Sequence, residues 1–271
     1  MALRFSPALT NFIAQDGAWR AAFNNGSIEI YTGVQPATPN LAPTGTLLAT
    51  ITVGSAAKTN ETKGTGVLTI SGTTSGTVDT CTLMGIDILG GAVTHTGDNN
   101  TMATAVALRI NRNPANKLCV ASTTGASGVV TLTALPGFGT TLNSGTLTFT
   151  ATTTTAAVTS TTFGSGTGGS VAGVAAANGL RMDYSAAAGV MVKDTTQTWS
   201  GVGVAAGTQT AGWFRYKSSV VDAGALDSSA VFLRMDGSIA SSGADLNMTS
   251  TAIANGAVQT LSAFSFTIPA A

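Results

Sequence analysis

Hydrophobic and polar positions follow two periods along this chain, and the change between them divides it. The opening stretch has helical spacing: Leu9, Phe12, Ile13, Trp19 and Phe23 recur at the intervals of one helix face. Ser6 followed by Pro7 supplies an N-cap and a first-turn residue, and Gly17 is a weak point or break. Asn24-Asn25-Gly26 is a left-handed stop. From Ser27 the period becomes two. In SIEIYTG, Ile28 and Ile30 face one way while Glu29 and Tyr31 face the other. VQPATPNLAPTG contains Pro36, Pro39 and Pro43, too many ring-locked residues for regular structure, and predicts an ordered loop. TLLATITV (46–53) predicts a second strand.

Between about 56 and 175 the pattern turns rich in Thr, Ser and Gly, with no Trp or Tyr. GVLTISG and TVDTCTLMGIDIL alternate as strands. TMATAVALRINR (101–112) is helical, with Met102, Val106 and Ile110 on one face and Asn113-Pro114 closing it. KLCVAS, GVVTLTAL and GTLTFTATTTT return to strand spacing, and GSGTGGS (164–170) has the composition of a flexible linker. Near Asn178 short alternating runs resume: GVMVK, TWSGVGV, TAGWFRYK, AVFLRMDG and LSAFSFTIP, separated by Gly, Ser, Asp and Asn turns. Such spacing is that of a β-sandwich. In the last run Phe264, Phe266 and Ile268 share a face and Pro269 ends the strand. The expected fold class is mainly β: a jelly-roll or Ig-like β-sandwich host domain with an N-terminal helix, over 1–55 and 176–271. An inserted small α+β module occupies 56–163, and a Gly/Ser-rich linker 164–175.

Composition sharpens this picture. Hydrophobic residues make up 44% of the 271, whereas only 9% are charged, so the chain is expected to fold behind a surface of Ser, Thr, Gly and Asn. Twelve Lys plus Arg balance twelve Asp plus Glu. Neutrality supplies no field to steer nucleic acid or an anionic membrane, and it removes the repulsion that opposes dense self-association. No apolar run approaches the roughly 18 residues of a membrane span, and Asn11, Gln15 and Asp16 interrupt any signal-peptide core, which predicts assembly in a cytoplasm. Cys81 and Cys119, without CxxC spacing, are expected to be reduced and buried.

Catalytic chemistry is not legible. His95, in AVTHTGDNN, is the one imidazole and reads as an exposed loop residue beside Asp98. No nucleophile elbow accompanies it. Asp16, Asp98, Asp222, Asp227 and Asp236 sit in turn-like contexts. GSGTGGS lacks the Lys-Ser/Thr of a phosphate loop, and no calcium-loop or zinc spacing occurs. No enzyme activity, cofactor or metal is expected.

The densest aromatic and cationic stretch is TAGWFRYKSS (210–219). Alternation puts Phe214 and Tyr216 on one face and Trp213, Arg215 and Lys217 on the other. Core packing, contact with a neighbouring subunit and a small-molecule or glycan site all remain open for the second face. The interface candidates are Trp213, Arg215, Lys217, Trp19, Pro36, Pro39 and Pro43.

SIEIYTGVQPATPNLAPTGTLLATITV, then TWSGVGVAAGTQTAGWFRYK, LRMDGSIASSGADLNMTS and VQTLSAFSFTIP, resembles a family of tailed-bacteriophage virion proteins. The shared pattern covers roughly residues 1–53 and 178–271, and shorter members look like this chain without its middle. Residues 64–150 resemble small modules that recur in phage tail and other virion proteins. The resemblance implies a structural role in the virion, first as a capsid decoration or cement protein that is homo-oligomeric and bound to the major capsid protein. Its alternatives are a tail, collar or fibre-base component and a glycan- or receptor-binding module.

Overall fold

Local chemistry sets the element ends. The Ser6 hydroxyl accepts from the Leu9 amide at 3.2 Å, an N-cap in front of Pro7. Asn25 takes φ of +59° and stops the second helix, a conformation that Asn tolerates better than other side chains. The structure of the protein, a computed structural model, describes residues 3–15, 19–72, 76–95, 97–123, 128–138, 140–152, 156–160, 163, 173–174, 177–184 and 189–268. Gly17, GSGTGGS, Asp16 and Pro269 lie outside the described residues.

In chain order, β1 (Arg4–Phe5), α1 (Pro7–Gln15) and α2 (Trp19–Phe23) precede β2 (Ser27–Thr32) and β3 (Leu47–Val53). β4 (Thr65–Gly72), β5 (Thr77–Leu83), β6 (Ile86–Asp87) and β7 (Val93–Thr94) lead to α3 (Asn99–Arg112). β8 (Cys119–Thr123), β9 (Val129–Ala134), β10 (Leu147–Thr152) and β11 (Ala156–Ser160) follow. β12 (Met182–Tyr184), β13 (Val190–Lys193), β14 (Trp199–Val202), β15 (Thr208–Lys217) and β16 (Arg234–Ala240) come next. β17 (Leu246–Asn247), β18 (Ala252–Ala254), β19 (Val258–Leu261) and β20 (Ser265–Thr267) close the order. The protein is mainly β, built from several antiparallel sheets. It divides into two compact units: Met1–Glu61 with Ala176–Ala271, and Thr62–Ala175.

The first unit is organised by a sheet of order β1-β16-β15-β2-β3-β14-β19, with β17 beside β16 and β18 beside β15. One face of it is apolar: Ile28, Ile30, Ile51, Phe214, Tyr216 and Met235 are all buried. Against it lie aromatic rings from α2 and from a three-stranded sheet, β12-β13-β20. Phe264 meets Phe214 edge-on at 5.5 Å, and Phe266 meets Phe23 at 5.9 Å. Trp19, half-buried, packs edge-on against Phe5 at 5.0 Å and Phe266 at 5.7 Å. The Tyr216 hydroxyl donates to the Phe23 carbonyl at 3.2 Å, satisfying its polar tip inside the layer. The alternation expected in the last run is present, with Phe264 and Phe266 buried and Ala263, Ser265 and Thr267 exposed.

In the second unit β10-β5-β6, with β7 on β5, makes one four-stranded sheet, and β11-β4-β9-β8 the other. Met84 and Gly85 take φ of +54° and +78°, which folds TVDTCTLMGIDIL back on itself as β5 and β6 rather than one long strand. The Asp98 carboxylate caps α3 by accepting from the Thr101 amide at 2.7 Å, and this bond holds its carboxyl below the ordinary range. Met102, Val106 and Ile110 are buried as their spacing predicts. His95 is the correction: it is buried, not exposed, with Nε2 3.4 Å from Asn99 Oδ1. Cys81 and Cys119 are free thiols inside this core, where burial pushes both up to about 12.

The opening length of the first unit runs to Glu61, past residue 55, for a hydrogen-bonding reason. Thr52 donates to the Ala56 carbonyl at 2.7 Å, the Thr59 amide to Ala177 at 3.0 Å, and the Glu61 amide to Ser219 at 2.8 Å. Residues 56–61 thus belong to the first unit. Phe163 is buried in the core of the second, and within that unit Val174 pairs with Thr62 and Gly173 with Asn143.

Candidate functional site

The second face of the large sheet is polar, charged and still buried. Register brings Arg215 opposite Asp236, and their side chains form a two-bond fork, Nε to Oδ1 at 2.8 Å and Nη2 to Oδ2 at 2.7 Å. Neither side chain reaches solvent. Burial pushes the Asp236 carboxyl up, and the Arg215 guanidinium works against it. Lys217 stands opposite Arg234, a like-charge pair that would repel without counter-ions. Glu29 takes Lys217 at 2.6 Å, and Asp222 takes Arg234 through Nη2 at 2.6 Å and Nε at 2.7 Å. Burial alone would raise Asp222, but the Arg234 fork and the Gly224 amide bring it below the usual carboxylate value.

Trp213 lies between a ring and a cation. Tyr31 stacks on it at 4.6 Å with 13° between planes, and the Arg215 guanidinium sits 5.5 Å from its centroid. Burial first, then the Glu29 carboxylate that accepts its proton at 2.6 Å, pushes the Tyr31 hydroxyl far above its ordinary value.

What covers this face is the proline loop of the same chain. Arg215 Nη1 donates to the Leu41 carbonyl at 2.9 Å, and Arg234 Nη1 to Pro39 at 3.0 Å. Trp213 Nε1 donates to Thr44 at 3.2 Å, and Arg4 donates to the Pro36 carbonyl. Three prolines remove three amide donors, so the loop's carbonyls have no ladder to join and the guanidinium groups satisfy them. Of the three readings open for Trp213, Arg215 and Lys217, burial within the chain matches core packing. All three are buried: the proline loop accepts from Trp213 and Arg215, whereas Lys217 is held by the Glu29 carboxylate and the Asp222 carbonyl. Pro36 and Pro39 are buried too, and Pro43 is half-buried.

Two loops beside this face carry exposed apolar side chains. The Asp227 amide donates to the Asn40 carbonyl at 2.8 Å, and Arg234 Nη2 holds Ala225 at 3.0 Å while its Nη1 holds Pro39. Segment 219–233 is thereby tied to the proline loop. Val34, Leu41, Val221, Leu226 and Val231 project from the two segments, and four of the five are more than 60% exposed.

Beside the loop, the same sheet face opens into a pocket of about 440 Å³. Ser27, Glu29, Thr50, Thr52, Lys58 and Lys217 give it polar groups; Leu47, Val202, Val204 and Val220 give it apolar walls. Lys58 donates to Asn60 Oδ1 at 3.0 Å and to the Ser218 carbonyl at 2.9 Å. Burial, then Lys217, lowers its ammonium to about 8.

Sequence reading missed Arg234, misread Asp236 as a turn residue and missed the ion pair that Asp222 makes beside its turn bond. Asp236 is in a strand, and Asp222 shares its turn bond to Gly224 with a fork to Arg234. The spacing was available: Arg234 and Asp236 lie two apart in LRMDG, as Arg215 and Lys217 do in FRYK. Among the described residues no group of three or more His, Cys, Asp or Glu comes together for a metal, and no helix is long and apolar enough to cross a membrane. No protein-family model, curated protein or solved structure matches the chain.

Proposed function

We propose that this chain is a structural protein of a tailed-bacteriophage virion, a capsid decoration or cement protein that binds neighbouring subunits. The resemblance of both chain ends to that family motivates the reading. One observation supports it most: five exposed apolar side chains stand on two loops that buried arginines pin to the sheet. Pinned loops lose little conformational freedom on docking, so their apolar area converts to affinity with little ordering cost. A neutral chain adds no repulsion between copies on a crowded shell. On this reading the aromatic-bridged layers of the first unit are a β-sandwich host, and Thr62–Ala175 is an inserted module.

The test is sedimentation of the purified chain with particles that lack it. The wild type is expected to co-sediment, and Leu226→Asp with Val231→Asp to lose at least roughly tenfold in retained protein, about 1.4 kcal/mol, with an unchanged melting temperature. Failure of the wild type to bind particles or its own copies at high concentration overturns the reading. Density on the tail rather than the shell, in images of whole particles, moves the protein to a tail or collar position.

A further inference from the structure

The pocket beside the proline loop carries an inference of its own, independent of the virion reading. Its two carboxylates are already engaged. Glu29 accepts Lys217 on Oε1 and the Tyr31 hydroxyl on Oε2. Asp222 accepts Arg234 on both oxygens and the Gly224 amide on one. Lys58 differs. Both acceptors of its ammonium are neutral oxygens, so one of its three hydrogens has no acceptor among the described residues. The hydroxyls of Ser27 and Thr50, on strands β2 and β3, likewise have no side-chain bond among the described residues. A half-buried cation, free hydroxyls and a wall of Leu47, Val202, Val204 and Val220 thus face one opening.

We propose that this pocket binds a small organic anion, with its carboxylate on the Lys58 ammonium and on the Ser27 and Thr50 hydroxyls, and its short apolar body against Val202 and Val204. A cation is disfavoured there, because each lining acid is already paired with one, Glu29 with Lys217 and Asp222 with Arg234. A fully polar anion would leave the valine wall in water. The charged groups that act on Lys58 are Lys217, which opposes its charge, and Glu29, Asp222 and Glu61, which favour it. An arriving carboxylate adds to the second set and raises the lysine from about 8. Affinity is therefore highest below pH 8 and falls above it, as Lys58 loses its proton.

Butyrate is the probe, with butylamine as the charge-reversed control, added to the full chain at pH 7 and followed by amide and lysine side-chain NMR. Saturable shifts at Thr50, Val202 and Val204, with an upward move of the Lys58 titration, are expected. Lys58→Met should weaken butyrate at least roughly tenfold, while the exposed Lys117→Met in the other unit leaves it unchanged. Lys58→Arg, which keeps the charge, covers the case in which Lys58→Met does not fold, and should retain binding above pH 8, where the wild type loses it. The proposal is overturned by an absence of saturation, by equal binding in Lys58→Met, or by preference for butylamine.

Discussion

Arg215 and Asp236 illustrate what a buried ion pair does at the scale of single residues. The fork is fully enclosed, so removing one partner strands the other's charge where water cannot reach it. Arg215→Met is expected to cost about 3–5 kcal/mol in urea unfolding, whereas Arg215→Met with Asp236→Leu recovers most of that loss. A single-mutant loss under about 1 kcal/mol would sink this account of the fork. Facing direction was readable here, because alternation assigns Phe214 and Tyr216 to one side and Trp213, Arg215 and Lys217 to the other. Burial of the charged side was not readable. A strand with cations on one face looks the same in sequence whether water or a loop of the same chain lies above it.

Between elements, the junction of β2 and β15 depends on a glycine. The register shifts between Ala211 and Trp213, and this bulge puts Trp213 opposite Tyr31 for stacking. A Cβ on Gly212 would lie 2.0 Å from the Gly33 carbonyl oxygen. Gly212→Ala is therefore expected to destabilise by on the order of 2–4 kcal/mol, through separation of the two strands. Gly207→Ala, at φ +69° with open space around its Cβ position, should cost only about 1–2 kcal/mol. Melting temperatures of the two variants decide it; equal shifts refute the steric argument. Helix and strand existence was legible from period and caps, as α3 shows with Asp98 in front and Asn113 behind. The long strand TVDTCTLMGIDIL was misread, because a break such as Met84-Gly85 keeps the apolar spacing on both sides.

For the whole molecule, the first unit is made of two separated lengths of chain whose inner ends meet. Thr59 pairs with Ala177, and Glu61 is bonded to Ser219, so the two lengths of chain can be joined by a few residues. A chain with 62–175 replaced by a short Gly-Ser linker is expected to be soluble and to melt in one cooperative transition, with the near-ultraviolet signal of its buried tryptophans retained. A molten or insoluble product would show that the first unit depends on the second. By itself the sequence determined the β-rich class, the change of composition near both unit boundaries, the caps, and which residues of each strand share a side. Those are matters of local sterics and of period, and they act within a few residues. Only the tertiary structure decided that Arg4, Arg215 and Arg234 hold the proline loop, that Asp222 and Asp236 are ion-paired, and that Lys58 borders a pocket. Each of these joins residues up to 195 positions apart, as Arg234 and Pro39 are. Their meeting depends on strand order and on which loop shields a face from water, and neither leaves a periodic trace in the chain.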